Sequence, residues 1–152
     1  MSARVDVMMP AYNAATTIRE AIDSLRAQTL RDIRIVVVDD GSTDDTPAIL
    51  AALAAEDQRI VVARKSNDGI VEARNDALRK CDAEFVACLD ADDTAFPERL
   101  ARQLAYLESH PACVGLGGEV EHIDERGAII AGMTQQGDPS LAAPAQAPAL
   151  EP

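Results

Sequence analysis

Four short apolar runs rich in β-branched residues, each followed by a polar loop and a segment of helical period, constrain this chain more than any other feature. They are Val5 to Met9, Ile33 to Asp40, Arg59 to Arg64 and Glu84 to Ala91. Runs this apolar suit strands buried on both faces, and strands separated by helices are joined by crossovers rather than hairpins. The segments between them fit that reading. Ile18, Ala21, Ile22 and Leu25 have i, i+3, i+4, i+7 spacing, and the next helix is expected to use Thr46 as N-cap and Pro47 at its first position, followed by Ile49, Leu50 and Leu53. A third pattern carries Ile70, Ala73, Ala77 and Leu78; a fourth, after Pro97, carries Leu100, Leu104 and Leu107. The alternation predicts an α/β fold, Rossmann-like, with a mostly parallel sheet and helices on both faces.

With 152 residues the chain has enough length for one domain with a real core, and 47% hydrophobic residues supply it. Aromatics are only 3% and Trp is absent, so that core is aliphatic. Acidic residues outnumber basic ones 26 to 14, giving a net charge of -12, and no basic block occurs. Such a surface repels phosphate backbones and anionic lipid, which argues against nucleic-acid binding. Cys81, Cys88 and Cys113 are odd in number and lack metal-ligand spacing; they are expected to be reduced core residues of a cytoplasmic protein. No stretch reads as a secretion signal or is long enough to span a bilayer.

Val114 to Ile130 reads as two extended pieces around a turn at Glu125 to Gly127, a hairpin or an addition to the sheet edge. The expected division is one domain over residues 1–132 and a flexible Pro/Ala-rich tail over 133–152. Val114, Leu116, Val120, Ile129 and Ile130 are candidates for uncovered apolar surface, through which a homo-oligomer could form.

In an open parallel sheet, ligands bind beyond the carboxyl ends of the strands, and all four loops there are polar. Each has a plain alternative. Asp39 and Asp40 with Gly41 and Ser42 suit a turn leading to a helix, Asn67, Asp68 and Gly69 suit another, and Tyr12 suits a half-buried aromatic. Asp90, Asp92 and Asp93 are harder to explain, because three carboxylates within four positions repel one another unless a basic side chain, open water or a divalent metal offsets them. A hard cation such as Mg2+ or Mn2+, completed by phosphate oxygens and water, answers the crowding well. No Walker-type glycine loop is present, which disfavours nucleoside triphosphate hydrolysis.

Taken together, residues 5–46, Asn67 to Leu78 and Glu84 to Leu100 resemble the nucleotide-binding half of glycosyltransferase family 2, with the GT-A fold. The resemblance implies a nucleotide diphosphate sugar as ligand, most often a UDP or dTDP sugar. By that similarity Pro10, Ala11 and Tyr12 shape the base pocket, and Asp40, or alternatively Asp39, accepts from the imide N–H of the base. Asn67, Gly69 and Arg74 match the next motif, Arg74 either meeting the diphosphate or bracing the acidic loop. Asp90-Ala91-Asp92 matches the family's DXD element: Asp90 would contact ribose or metal, Asp92 would ligate the metal, and Asp93 would support them.

The chemistry implied is transfer of a sugar to an acceptor hydroxyl, with the metal stabilising charge that develops on the leaving diphosphate. In the family the catalytic base lies well after the DXD element, in an acceptor-binding half. Glu119, Glu121, Asp124 and Glu125 match nothing in that half, so the catalytic residue is unassigned and the fold is expected to be truncated after the DXD region. Two functions are compatible with this pattern: a family 2 transferase, incomplete on the acceptor side, or a noncatalytic nucleotide-sugar-binding or scaffold domain.

Overall fold

The computed structural model describes residues 3–124 and 126–130. The chain divides into two compact units, one ending at His110 and the other beginning at Pro111. In the first, strands and helices alternate as β1 (Val5–Ala11), α1 (Ile18–Arg26), β2 (Ile33–Asp39), α2 (Thr46–Glu56), β3 (Ile60–Arg64), α3 (Ile70–Lys80), β4 (Phe85–Cys88) and α4 (Arg99–Ser109). The strands form one parallel sheet in the order β3-β2-β1-β4. Val5 pairs with Ile33 on one side and with Phe85 on the other, so β1 is central. The chain winds outward from β1 to β3 and then jumps back across β1 to β4.

Residue alternation along the strands separates two cores. Val7 and Met9 of β1 and Ile35 and Val37 of β2 join Ile18, Ile22 and Leu25 of α1, Leu50 and Leu53 of α2, and Leu100 and Leu104 of α4 in the larger one. The other face is thinner: Val38, with Met8 and Ala63, packs only on Ala73 and Ala77 of α3. These two alanines, one turn apart, let α3 lie close to the sheet. Ile70 and Leu78, expected on its buried face, are exposed, because the small residues and not the large ones form the seam.

Two local expectations are corrected. The first strand does not stop at Met9 but runs through Pro10 to Ala11. The Met8 carbonyl accepts from Leu89 on the β4 side and the Ala11 carbonyl from Asp40 on the β2 side. Strand alternation therefore turns Pro10 toward β4, whose ladder has already stopped at Cys88, so its missing N–H breaks no pair. Thr46 is the first residue of α2 rather than its cap, and Asp45 precedes the helix. The Thr46 hydroxyl accepts instead from the Ala14 N–H at 2.8 Å, while Asp44 Oδ1 receives the Thr46 N–H at 3.0 Å.

The three thiols are unpaired, as expected, but none is a core residue: Cys88 is exposed, and Cys81 and Cys113 are half-buried. Among the described residues beyond Pro111 the regular structure is a single antiparallel bridge, Ile123 with Ile129, closed around Asp124, whose carboxylate accepts from the Arg126 and Ala128 N–H groups. The apolar residues named above in that stretch are exposed. Among the described residues no helix is long and apolar enough to cross a membrane. The tail expected over 133–152 lies outside the described residues.

Candidate functional site

All four strands of a parallel sheet end on one edge, and their loops meet there. The loop after β1 is tied to the loop after β2 by a set of short bonds. Asn13 donates its N–H to Ser42 Oγ at 2.9 Å and accepts the Thr43 N–H on Oδ1 at 2.8 Å; the Ala15 N–H reaches Asp44 Oδ2 at 3.0 Å. Asn13 does this with a positive φ of 48°, a conformation that asparagine tolerates better than most residues. Sequence reasoning did not single out Asn13; the available signal was an asparagine two residues beyond the end of the first strand.

The loop after β2 also holds the loop after β3. Asp40 is buried, and its two carboxylate oxygens accept the N–H groups of Asp68 and Gly69 at 3.0 and 2.8 Å. Gly69 then starts α3 with φ 92°. Asp39 is used differently: Oδ1 accepts the Ser42 N–H at 3.0 Å, and Oδ2 lies 3.2 Å from Arg64 Nε.

These loops enclose an open cleft of about 710 Å3. Pro10, Ala11, Tyr12, Asp40, Asn67, Gly69, Arg74, Asp90 and Asp92 all line it, whereas Asp39 and Asp93 do not. Asn13, Thr16, Thr17, Ile70 and Ala73, which sequence reasoning did not select, contribute as well. Tyr12 is 52% exposed. Thr16 and Thr17, just before α1, and the first turn of α3 border the cleft, and helix N-termini make such a wall receptive to anions. The position also matches a general property of open sheets: the cleft sits where the winding reverses, between the β1 and β4 ends.

The acidic loop after β4 has its offsetting charge inside the protein. Arg74 Nη2, from α3, lies 2.6 Å from both carboxylate oxygens of Asp90, and this bond raises the pKa of the guanidinium further. A turn closed by the Asp93 N–H on the Asp90 carbonyl places Asp92 at the cleft and Asp93 away from it. Among the described residues, no three His, Cys, Asp or Glu side chains converge closely enough to hold a metal ion. Asp90, Asp92 and Asp93 are thus not gathered into one ligand set, because Asp90 is drawn to Arg74. Asp90 and Asp92 nevertheless share the cleft wall, and a pair of carboxylates suffices for a cation that takes its remaining ligands from phosphate and water.

A family model described as glycosyl transferase family 2 matches residues 6–133. The chain belongs to that family. It is 34% identical over 109 residues to the putative glycosyltransferase EpsE of Bacillus subtilis, covering 70% of this chain and 39% of EpsE. Amylovoran biosynthesis glycosyltransferase AmsE of Erwinia amylovora is 34% identical over 124 residues, covering 80% of this chain and 47% of AmsE. An uncharacterized glycosyltransferase of Rickettsia felis is 35% identical over 107 residues, 18% of its length. The chain therefore spans less than half of each of these relatives. Among solved structures, S. aureus TarS 1–349 in complex with UDP-GlcNAc superposes with a TM-score of 0.66 and 32% identity, over 71% of this chain and 32% of that one. Mannosyltransferase PcManGT from Pyrobaculum calidifontis in complex with GDP-Man and Mn2+ does so with 0.63 and 32%, over 70% and 33%. The four-stranded parallel sheet with its helices is thus the GT-A type of α/β fold.

Proposed function

We propose that this chain is the nucleotide-sugar-binding part of a family 2 glycosyltransferase, which takes a UDP or dTDP sugar with Mg2+ or Mn2+ and passes the sugar to an acceptor hydroxyl. The observation that carries this reading is the single cleft in which Tyr12, Asp40, Arg74, Asp90 and Asp92 meet two helix N-termini. In this reading the Tyr12 ring lies against the base. Asp40 is chosen over Asp39 as acceptor for an imide N–H because it lines the cleft and Asp39 does not; each Asp40 oxygen already accepts one backbone N–H, so the base would use a remaining lone pair. Cytosine has no such N–H and is disfavoured; guanine has one, so GDP is a necessary control.

The helix N-termini and Arg74 suit the diphosphate. Asp90 and Asp92 would hold the divalent cation, which supplies charge neutralisation for the leaving diphosphate. The TarS and PcManGT complexes support a nucleotide sugar as ligand, and the second supports a divalent metal. Unpaired thiols suit the reducing cytoplasm. Self-association through Val114, Leu116, Val120, Ile129 and Ile130 is part of the same proposal; light scattering that finds a monomer at every concentration would remove it.

Calorimetric titration tests the site. UDP is expected to bind in the presence of MnCl2 and CDP much less well, and Asp92→Asn should weaken metal-dependent UDP binding by roughly tenfold or more, the loss of one charged ligand. Asp92 is exposed and Asp90 is already paired, so the same substitution should change stability by no more than about 0.5 kcal/mol. Absence of metal-dependent binding at millimolar nucleotide would overturn the reading. Slow release of UDP from a UDP sugar, lost in Asp92→Asn, separates a transferase from a noncatalytic binding or scaffold domain.

A further inference from the structure

A divalent cation and Arg74 need the same electrons. Both lone-pair-bearing oxygens of Asp90 lie 2.6 Å from Arg74 Nη2, and the pair stands in the wall of the cleft with Asp92 beside it. A metal arriving alone finds one cleft carboxylate engaged by a guanidinium and, among the described residues, no third ligand to complete a set. To use Asp90 it must displace Arg74, and the guanidinium would then lose its bond to Asp90 while staying close to the metal. Like charges at such distances repel, so metal binding alone is opposed twice.

A diphosphate changes this balance. It brings oxygens for the metal, and it brings oxygens to which a guanidinium donates in fork geometry. Arg74 can then leave Asp90 without becoming unpaired. The formal charges also close: three cleft carboxylates, Asp40, Asp90 and Asp92, against one guanidinium before binding, and the same net charge afterwards, because a dication cancels the two charges of a sugar diphosphate.

We propose that Arg74 is a built-in counter-cation that holds the metal's place beside Asp90, so that the divalent ion enters the cleft only together with a diphosphate. This rests on the nucleotide-diphosphate reading above. Arg74 is here a positioning residue, and its role is a coupling between two ligands: whatever factor UDP adds to metal affinity, the metal adds to UDP affinity. Removing the guanidinium should free Asp90 for the metal and take away the receiver of the diphosphate. The two affinities then move in opposite directions, which loss of structure alone does not produce.

Free Mn2+ is read from its EPR signal in titrations of the full chain, without nucleotide and then with UDP. The wild-type protein is expected to bind Mn2+ alone only weakly. Arg74→Gln should bind Mn2+ alone at least tenfold more tightly, bind UDP with Mn2+ less tightly, and lose at least fivefold of the coupling between them. Asp90→Asn added to Arg74→Gln should abolish the gain, and Arg74→Lys, which keeps the charge but not the fork, should fall between. Thermal melts check that each variant is folded; should Arg74→Gln unfold, the lysine variant carries the comparison. If the wild type binds UDP with Mn2+ but removing the guanidinium gives no gain for Mn2+ alone, the counter-cation role is wrong and the site reading stands. If the wild type shows no Mn2+-dependent UDP binding, the site reading itself falls.

Discussion

Replacing Asp6 with alanine is expected to cost about 3 to 5 kcal/mol, the usual penalty for removing one partner of a buried ion pair. Asp6 is fully buried in β1 and receives four donors: Arg34 Nε and Nη2 at 2.9 and 2.6 Å, and the N–H groups of Asp82 and Ala83 at 2.8 and 3.0 Å. It therefore joins β1, β2 and the turn between α3 and β4 through one carboxylate. Alanine would leave the part-buried N–H groups of Asp82 and Ala83 without this acceptor and Arg34 with the exposed Asp82 and the Lys80 carbonyl oxygen. Urea denaturation checks the value, and a loss under about 1 kcal/mol would show that the pair is dispensable. The same group sets an acid limit. Burial pushes the Asp6 carboxyl up, but the Arg34 bond and the two N–H groups outweigh it and hold the pKa below the ordinary 3.8. Asp57, bonded to Arg59, is held down to about 2. A depressed folded pKa means that its stabilisation is complete above the unfolded pKa and is lost as pH falls through the folded one. Stability should accordingly be insensitive to these groups above about pH 5 and decline below about pH 4. Asp6→Ala should show a shallower decline.

The second large effect is expected at Gly41, in the loop after β2. Its φ is 74°, and an added Cβ would stand 2.7 Å from the backbone nitrogen of Asn67 and 3.3 Å from the Lys65 carbonyl oxygen. The obstacle is backbone, which cannot rotate away as a side chain would. Gly41→Ala therefore combines left-handed strain, about 1 to 3 kcal/mol, with an overpacking penalty of similar size. The displaced segment is the one whose N–H groups Asp40 holds, so weaker UDP binding should accompany lower stability. Gly69→Ala is the control: its φ is 92°, but no atom lies within 4 Å of the added carbon. It should lose only the conformational part. Equal losses at the two positions in a denaturation experiment would mean that the clash at Gly41 is relieved at no cost.

Much of this molecule is legible without coordinates. Ile18, Ala21, Ile22 and Leu25 were expected on one helix face and are all buried; the β-branched runs are the strands. The polar loops could be assigned to one edge because a parallel sheet leaves no alternative. The errors share a cause. Thr46 was read as a cap and Ile70 and Leu78 as core, because local pattern cannot tell whether a hydroxyl serves its own helix or a loop thirty residues away, or whether alanines or larger residues face the sheet.

The sequence by itself determined the alternation of strands and helices, the aliphatic core and the gathering of acidic and small residues after each strand. These rest on periodicity and turn chemistry, which act over a few neighbouring residues. Only the tertiary structure decided the strand order β3-β2-β1-β4, the place of Asp40 rather than Asp39 in the cleft wall, the clamp of Asn13 on Thr43, and the pairing of Asp90 with Arg74. Each of these joins groups far apart in the chain. A bond of 2.6 or 2.8 Å between such groups exists only once the packing of α3 and the sheet has fixed the distance, and no spacing along the chain encodes that length.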